Sequence, residues 1–194
     1  MTIPRAVLFT RFPTPGAAKT RLIPALGEAG AARVHRQLTE RTVKTLREAA
    51  ATIEIHYTGA DEPEFAAWLG GDLRFVAQPE GDLTTRLIAG LEPAPVIFFG
   101  ADTPDLAAHH VEAAIAALQT HEVVIGPAED GGYYLIGVAK PHAFLFTDMP
   151  WSSDAVFPET CARLAARGIK PMILETLSDC DVPQDLARWP WLTS

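Results

Sequence analysis

The sequence predicts an α/β protein built on a largely parallel sheet, and three observations carry that prediction. Val96, Ile97, Phe98 and Phe99 form an unbroken apolar run, the pattern of a strand covered on both faces in a parallel sheet. Segments with strand character alternate with segments of helical composition along most of the chain. The composition, 48% hydrophobic and 21% charged over 194 residues, suits one globular domain, 1–194, with a sizeable core.

The first strand is expected over 6–10 and empties into a loop over 11–22. That loop carries Arg11, Lys19 and Arg21, is stiffened by Pro13 and Pro15, and has Gly16 to permit close backbone approach. So many cations together in a chain of net charge −8 form either a polyphosphate cradle or a solvated basic loop. It is not a Walker A loop, because no glycine directly precedes Lys19, and with one glycine it is not a dinucleotide fingerprint. Residues 28–50 have helical composition with an apolar stripe through Val34, Leu38, Val43 and Leu46. Residues 53–57 alternate like a strand near the sheet edge, with His56 an ordinary strand residue. A short helix over 63–69, a strand over 73–77 and a helix over 83–91 follow. In the turn between the last two, Gln78 both donates and accepts hydrogen bonds and Gly81 leaves backbone groups open. The turn either reads a nucleobase edge or merely connects.

After the 96–99 strand, Gly100 and Ala101 keep the turn small and leave Asp102 at the strand's carboxyl end. In open α/β sheets ligands bind at that edge, and a carboxylate there suits a divalent cation; the alternative is that Asp102 helps cap a helix. Thr103 is expected to cap, and Pro104 to open, a helix reaching Gln119, with Val111, Ala114, Ile115 and Leu118 facing the core. His109 and His110 are adjacent, cannot form an i, i+4 metal pair, and receive no chemistry. Strands over 122–126 and 133–138 are joined by a segment too short for a helix, so they are antiparallel or joined by a wide loop. Between them, Asp130-Gly131-Gly132 is either a plain turn or a backbone surface pressed against substrate. Ser152 or Ser153 is expected to cap a helix over 155–167, with Phe157, Cys161 and Leu164 facing inward, ahead of a last strand over 170–176. That strand leads to Asp181-Val182-Pro183-Gln184-Asp185-Leu186, an echo of Asp102-Thr103-Pro104-Asp105-Leu106. Val182 cannot cap, so Asp181 either caps in its place or joins Asp102 in a two-carboxylate site for Mg²⁺ or Mn²⁺.

The charge of −8 argues against nucleic acid or an anionic membrane as partner, since both require a basic footprint. Cys161 and Cys180, the only cysteines, match no zinc spacing. The apolar run at 6–9 is too short for a signal peptide, and no stretch approaches the roughly 18 apolar residues of a membrane span, so a cytoplasmic location is expected.

Several blocks together closely resemble the DUF2064 family. They are Phe9, Arg11, Pro13, Pro15-Gly16 and Lys19-Thr20-Arg21-Leu22; Gly100-Ala101-Asp102 with Pro104; Gly126-Pro127-Ala128 with Asp130-Gly131-Gly132-Tyr133-Tyr134-Leu135-Ile136-Gly137; Trp151-Ser152-Ser153; and the Asp181 block. That family is glycosyltransferase-A-like and includes members associated with arsenosugar biosynthesis. More distantly the chain is similar to nucleotidyltransferases of the molybdopterin guanylyl and phospholactate guanylyl type, of the nucleotide-diphospho-sugar transferase fold. The resemblance implies a three-layer α/β/α, Rossmann-like architecture with a mostly parallel seven-stranded sheet and one antiparallel strand, matched to 133–138. It implies that Asp102 and Asp181 bind the metal, that the Arg11, Gly16, Lys19 and Arg21 loop holds a triphosphate, and that Gln78 and Gly81 face the base. Three departures stand out: the Gly-x-Gly-x-Arg loop is absent, the Asp-x-Asp motif is reduced to Asp102 and Asp105, and Thr84 occupies a position expected to be glycine.

The expected activity is metal-dependent transfer of a nucleoside monophosphate from an NTP to a small phosphorylated or anionic acceptor, with Lys19, Asp102 and Asp130 as the catalytic set. The alternatives are a GT-A-type glycosyltransferase using a nucleotide sugar, with Asp130 as base, and a non-catalytic nucleotide-binding module.

Overall fold

A computed structural model describes residues 3–49 and 52–193. In chain order the elements are β1 (Arg5–Arg11), α1 (Ile23–Glu48), β2 (Thr52–Thr58), α2 (Glu62–Leu69), β3 (Arg74–Ala77) and α3 (Leu83–Gly90). They are followed by β4 (Val96–Phe99), α4 (Ala108–Ala117), β5 (Val123–Pro127), β6 (Tyr133–Val138), α5 (Val156–Ala165) and β7 (Met172–Ile173). The strands form one seven-stranded sheet in the order β3-β2-β1-β4-β6-β5-β7. Every pair is parallel except those of β6, which runs antiparallel to both β4 and β5.

Both faces of the sheet are covered, which is why the central strands are apolar without alternation. Successive residues of β1 and β4 feed opposite cores. Ala6, Leu8, Ile97 and Phe99 pack with α1, α2 and α4 residues such as Leu46, Phe65 and Val111. Val7, Val96 and Phe98 pack with Leu87 of α3 and Leu164 of α5. A third cluster joins Val34 and Leu38 of α1 to Cys180, Trp189 and Leu192, fastening the C-terminal segment to the first helix.

Chain order and strand order together define a crevice. From β1 the chain winds outward through β2 to β3, then returns to β4 on the other side of β1. The carboxyl ends of β1 and β4 therefore flank a topological switch point, where open α/β sheets bind ligands. Because β6 is reversed, the β5–β6 turn and the segment after β7 reach the same edge.

Four local expectations are corrected. The helix after Asp102 begins at Ala108, not at Pro104: the chain first makes a turn in which the Leu106 N–H donates to the Thr103 carbonyl, and the Ala107 N–H is capped by His110 Nδ1 instead of by Thr103. No serine side chain caps α5; Ser153 Oγ accepts from the Ala155 N–H one turn earlier. The last strand is two residues long, because only Met172 and Ile173 reach pairing register with β5, and a single bridge joins Ala128 to Leu177 further on. Residues 53–56 of β2 are all buried and do not alternate, since Glu54 is held inside by Arg5 at 2.7 Å and Arg74 at 3.0 Å. The α1 pattern expected from 28 matches a break at Gly27, where φ is 69° and ψ 170°; its expected end, Ala50, lies outside the described residues.

Candidate active site

A cleft of about 560 Å³ opens at the carboxyl edge. Of the residues singled out from the sequence, Arg21, Asp102, Asp130 and Asp181 line it, together with Asp179, Asp154, Tyr133 and Trp151. Four separate stretches supply the acids, Asp154 coming from the segment just before α5. Asp102 comes from the turn after β4, Asp130 from the β5–β6 turn, and Asp179 and Asp181 from the segment after β7. The Cys180 N–H donates to the Asp102 carbonyl at 2.9 Å, which fixes the last segment to the β4 turn. Cys180 is itself fully buried, and the two carboxylates on either side of it both line the cleft.

Lys19 lies at the centre of this arrangement. Its ammonium donates to Asp181 Oδ1 at 2.6 Å and to the Cys180 carbonyl at 2.8 Å, and pairs with Asp102 Oδ1 at 2.6 Å. One cation thus touches both acids that the sequence put forward as metal ligands. Burial works against the charge on Lys19, but the two carboxylates outweigh it and raise its pKa. The same contact holds Asp102 below the usual carboxylate range in spite of burial. Neither acid caps a helix: the Asp181 and Val182 N–H groups donate to Asp185 Oδ2, at 2.8 and 2.9 Å.

The remaining basic-loop residues behave differently. Arg21 is 66% exposed with Nη1 4.0 Å from Asp181 Oδ2, and Arg11 is exposed at the end of β1, its carbonyl accepting from His35 Nε2 at 2.8 Å. Gly16, at φ 80°, lies in the same loop outside the cleft lining. Gln78 and Gly81 are also outside it. The Gln78 amide donates to the carbonyls of His56 at 2.6 Å and Thr10 at 3.3 Å, and its oxygen accepts from Arg86 at 3.2 Å. Asp130 Oδ1 accepts from the Gly132 N–H at 2.8 Å, as in a plain turn, and the residue lines the cleft. Asp105 does not reach the cleft and instead accepts from the Trp189 indole at 3.1 and 3.0 Å.

Sequence reasoning missed Asp179. Burial, followed by the charges of Asp130, Asp181 and Asp102, pushes its pKa up to about 8, and its Oδ1 is buried with no hydrogen-bond partner among the described residues. The signal was the acid–cysteine–acid alternation at 179–181, in which one buried residue turns both neighbours the same way. Trp151 is a second such residue, visible in the sequence only within Trp151-Ser152-Ser153. It forms one wall of the cleft, its indole donating to Thr84 Oγ1 at 2.8 Å and its ring stacked on Phe146 at 6.5 Å. His109 and His110, given no chemistry from the sequence, have ring centroids 3.9 Å apart, and with Glu175 they form a candidate metal-ligand group. His110 is a poor ligand, however: Nδ1 accepts the Ala107 N–H, so Nε2 carries the proton that faces Glu175 at 3.4 Å.

No helix among the described residues is long and apolar enough to cross a membrane. No protein of curated function matches the chain. Among solved structures, the chain is similar to a candidate nucleotide-diphospho-sugar transferase from Desulfovibrio desulfuricans, at 28% identity and TM-score 0.89, over 98% of this chain and 88% of that one. It shares its fold with a 4-diphosphocytidyl-2C-methyl-D-erythritol synthase from Anaerococcus prevotii, at 12% identity and TM-score 0.63, over 96% of this chain and 94% of the other. The same holds for a Mycobacterium tuberculosis protein, Rv0371C, solved with manganese, at 16% identity and TM-score 0.58, over 96% and 97% of the two chains. Residues 42–153 match the family profile described as an uncharacterized protein conserved in bacteria, DUF2064. With more than half of its length matched, the chain belongs to the DUF2064 family.

Proposed function

We propose that the cleft is the active site of a divalent-metal-dependent nucleotidyltransferase, which moves a nucleoside monophosphate from an NTP to a small anionic acceptor. The observation that carries this reading is that Asp102 and Asp181, far apart in sequence, converge within reach of a single cation. Their donors are hard carboxylate oxygens, the kind Mg²⁺ and Mn²⁺ take alongside substrate phosphates. A cleft with this many acids repels a polyphosphate unless a cation accompanies it. The family assignment and the manganese-bound fold relative support the same direction.

In this reading Asp102 and Asp181 hold Mg²⁺ or Mn²⁺, which when bound neutralises charge developing on the phosphates. Arg21 and Arg11 meet the phosphates as they leave, with Gly16 allowing the loop backbone to approach and Gln78 and Gly81 on the base side. An acceptor oxyanion attacks the α-phosphorus, its new P–O bond forming as the bond to the β-phosphate oxygen breaks and pyrophosphate departs. An acceptor already ionised needs no base. Thermal melting against NTPs, nucleoside diphosphates and nucleotide sugars, with and without Mn²⁺, tests this. A ligand at about 100 times its dissociation constant adds roughly 2.7 kcal/mol. Metal-dependent stabilisation by an NTP that Asp102→Asn abolishes is the expected result, and its absence for every NTP refutes the proposal.

A second reading is glycosyl transfer from a nucleotide sugar, and one observation favours it: Asp130 and Asp179 place further carboxylates in the cleft, as a hydroxyl acceptor would need. Stabilisation confined to a nucleotide sugar would select it.

A further inference from the structure

We propose that Lys19 is a resident cation, whose ammonium keeps Asp102 and Asp181 assembled when no metal is bound and competes with a divalent ion for them. This rests on the metal-site reading above but reverses the role expected of Lys19, which becomes a positioning residue and not a phosphate ligand.

The first support is stoichiometric. Three oxygens crowd the ammonium: Asp181 Oδ1 and the Cys180 carbonyl accept its hydrogen bonds, and Asp102 Oδ1 pairs with it at 2.6 Å. The side chain is 6% exposed, so no open surface remains for a phosphate oxygen. The second support is the backbone. Lys19 sits in the left-handed region, at φ 47° and ψ 46°, a conformation non-glycine residues seldom adopt. Such strain persists where the surroundings over-determine it. Here they do: Ala18 is buried on one side, and on the other the Leu22 N–H donates to the Lys19 carbonyl at 2.8 Å as the chain enters a 3-10 turn.

The third support is the span. Lys19 belongs to the loop after β1, Asp102 to the turn after β4, and Asp181 to the segment after β7. Without a cation among them, two carboxylates would face each other across the crevice beside Asp179 and Asp130. Lys19 supplies that cation permanently. The consequence for metal binding has a definite sign. A divalent ion approaching Asp102 and Asp181 meets a fixed positive charge bonded to one oxygen of each. Removing it frees three oxygens, two from carboxylates and one from a carbonyl, which together make a hard-cation donor set.

The test is Mn²⁺ binding without nucleotide, followed by electron paramagnetic resonance of the free ion, for wild type, Lys19→Met, Lys19→Arg and Lys19→Met/Asp102→Asn, each checked for folding by circular dichroism. Lys19→Met should bind Mn²⁺ at least about tenfold more tightly than wild type, Lys19→Arg should stay at the wild-type level, and the double variant should lose the gain. Unchanged or weakened binding in Lys19→Met overturns the resident cation. If Asp102→Asn still abolishes Mn²⁺-dependent NTP binding in that case, the metal-site reading survives alone; if no variant binds Mn²⁺ at all, both fall. Should Lys19→Met fail to fold, the wild type decides by ¹⁵N NMR of lysine ammonium groups. One exchange-protected ammonium signal should be present without metal and be displaced as Mg²⁺ is added. A signal indifferent to saturating Mg²⁺, or no protected signal, overturns the proposal.

Discussion

Replacing Gly131 by alanine separates two costs that are usually confounded. Gly131 has φ 88°, a left-handed conformation in which a side chain costs roughly 1–2 kcal/mol. A Cβ there would also meet backbone: it would lie 2.5 Å from the Asp154 carbonyl oxygen and 2.8 Å from its carbonyl carbon, with the Asp154 Cα closer still. Backbone cannot rotate away as a side-chain tip does, so the 152–154 loop must shift, at about 1–3 kcal/mol for overpacking. The Phe157 N–H donates to the Gly131 carbonyl at 2.8 Å, so movement there also disturbs the start of α5. Gly168 is the control. It has φ 67° but nothing within 4 Å of its would-be Cβ, so Gly168→Ala carries the backbone cost alone. Urea unfolding should show about 2–5 kcal/mol lost in Gly131→Ala against about 1–2 in Gly168→Ala. Because Asp130, Gly132, Ser152, Ser153 and Asp154 line the cleft, the first variant should also weaken ligand-induced stabilisation while the second should not. Equal losses in the two variants would refute the claim that the Asp154 backbone packs tightly on this turn.

Three further outcomes are expected. Glu54→Ala removes the carboxylate between Arg5 and Arg74; with Glu54 3% and Arg5 12% exposed, about 3 kcal/mol should be lost in urea unfolding. Thr84→Val removes the acceptor of the Trp151 indole and the donor to the Phe146 carbonyl, both at 2.8 Å, and should cost about 1–2 kcal/mol with a changed tryptophan emission spectrum. Asp179 binds its proton more tightly folded than unfolded, with a pKa near 8 against 3.8, so its stabilising contribution is complete below the lower value and is lost as pH rises through the higher. In metal-free buffer the Tm of wild type should therefore fall relative to that of Asp179→Asn between pH 4 and pH 8, and parallel pH profiles would contradict it.

Much of the fold was legible because it is written in local pattern. The bare apolar run of β4 announced a strand covered on both faces, and the stripe through Val111, Ala114 and Leu118 announced the helix beside it. The short connection before Tyr133 left an antiparallel pair as one of two readings, and β6 takes it. Errors arose where a local signal competed with a distant partner. Thr103 and Pro104 look like a helix start, yet the turn that follows accommodates Arg41, whose guanidinium donates to the Pro104 carbonyl at 2.6 Å. Glu54 looks like the solvent face of a strand, yet two arginines from other strands hold it inside.

By itself the sequence determined the strand and helix periods, the acidic charge, and the candidacy of Asp102, Asp181 and the basic loop, because composition and spacing act over a few residues. Only the tertiary structure decided what those charges do to one another. Lys19, Asp102 and Asp181 are far apart along the chain, and nothing local says that the lysine meets both acids and leaves Arg21 alone to face the cleft. The same holds for Asp179, whose proton affinity is raised by burial and, besides its chain neighbour Asp181, by Asp130 and Asp102, which only folding brings near. Charge interactions decay with distance in space and take no account of sequence separation, so the site becomes readable only when the sheet has brought its strand ends together.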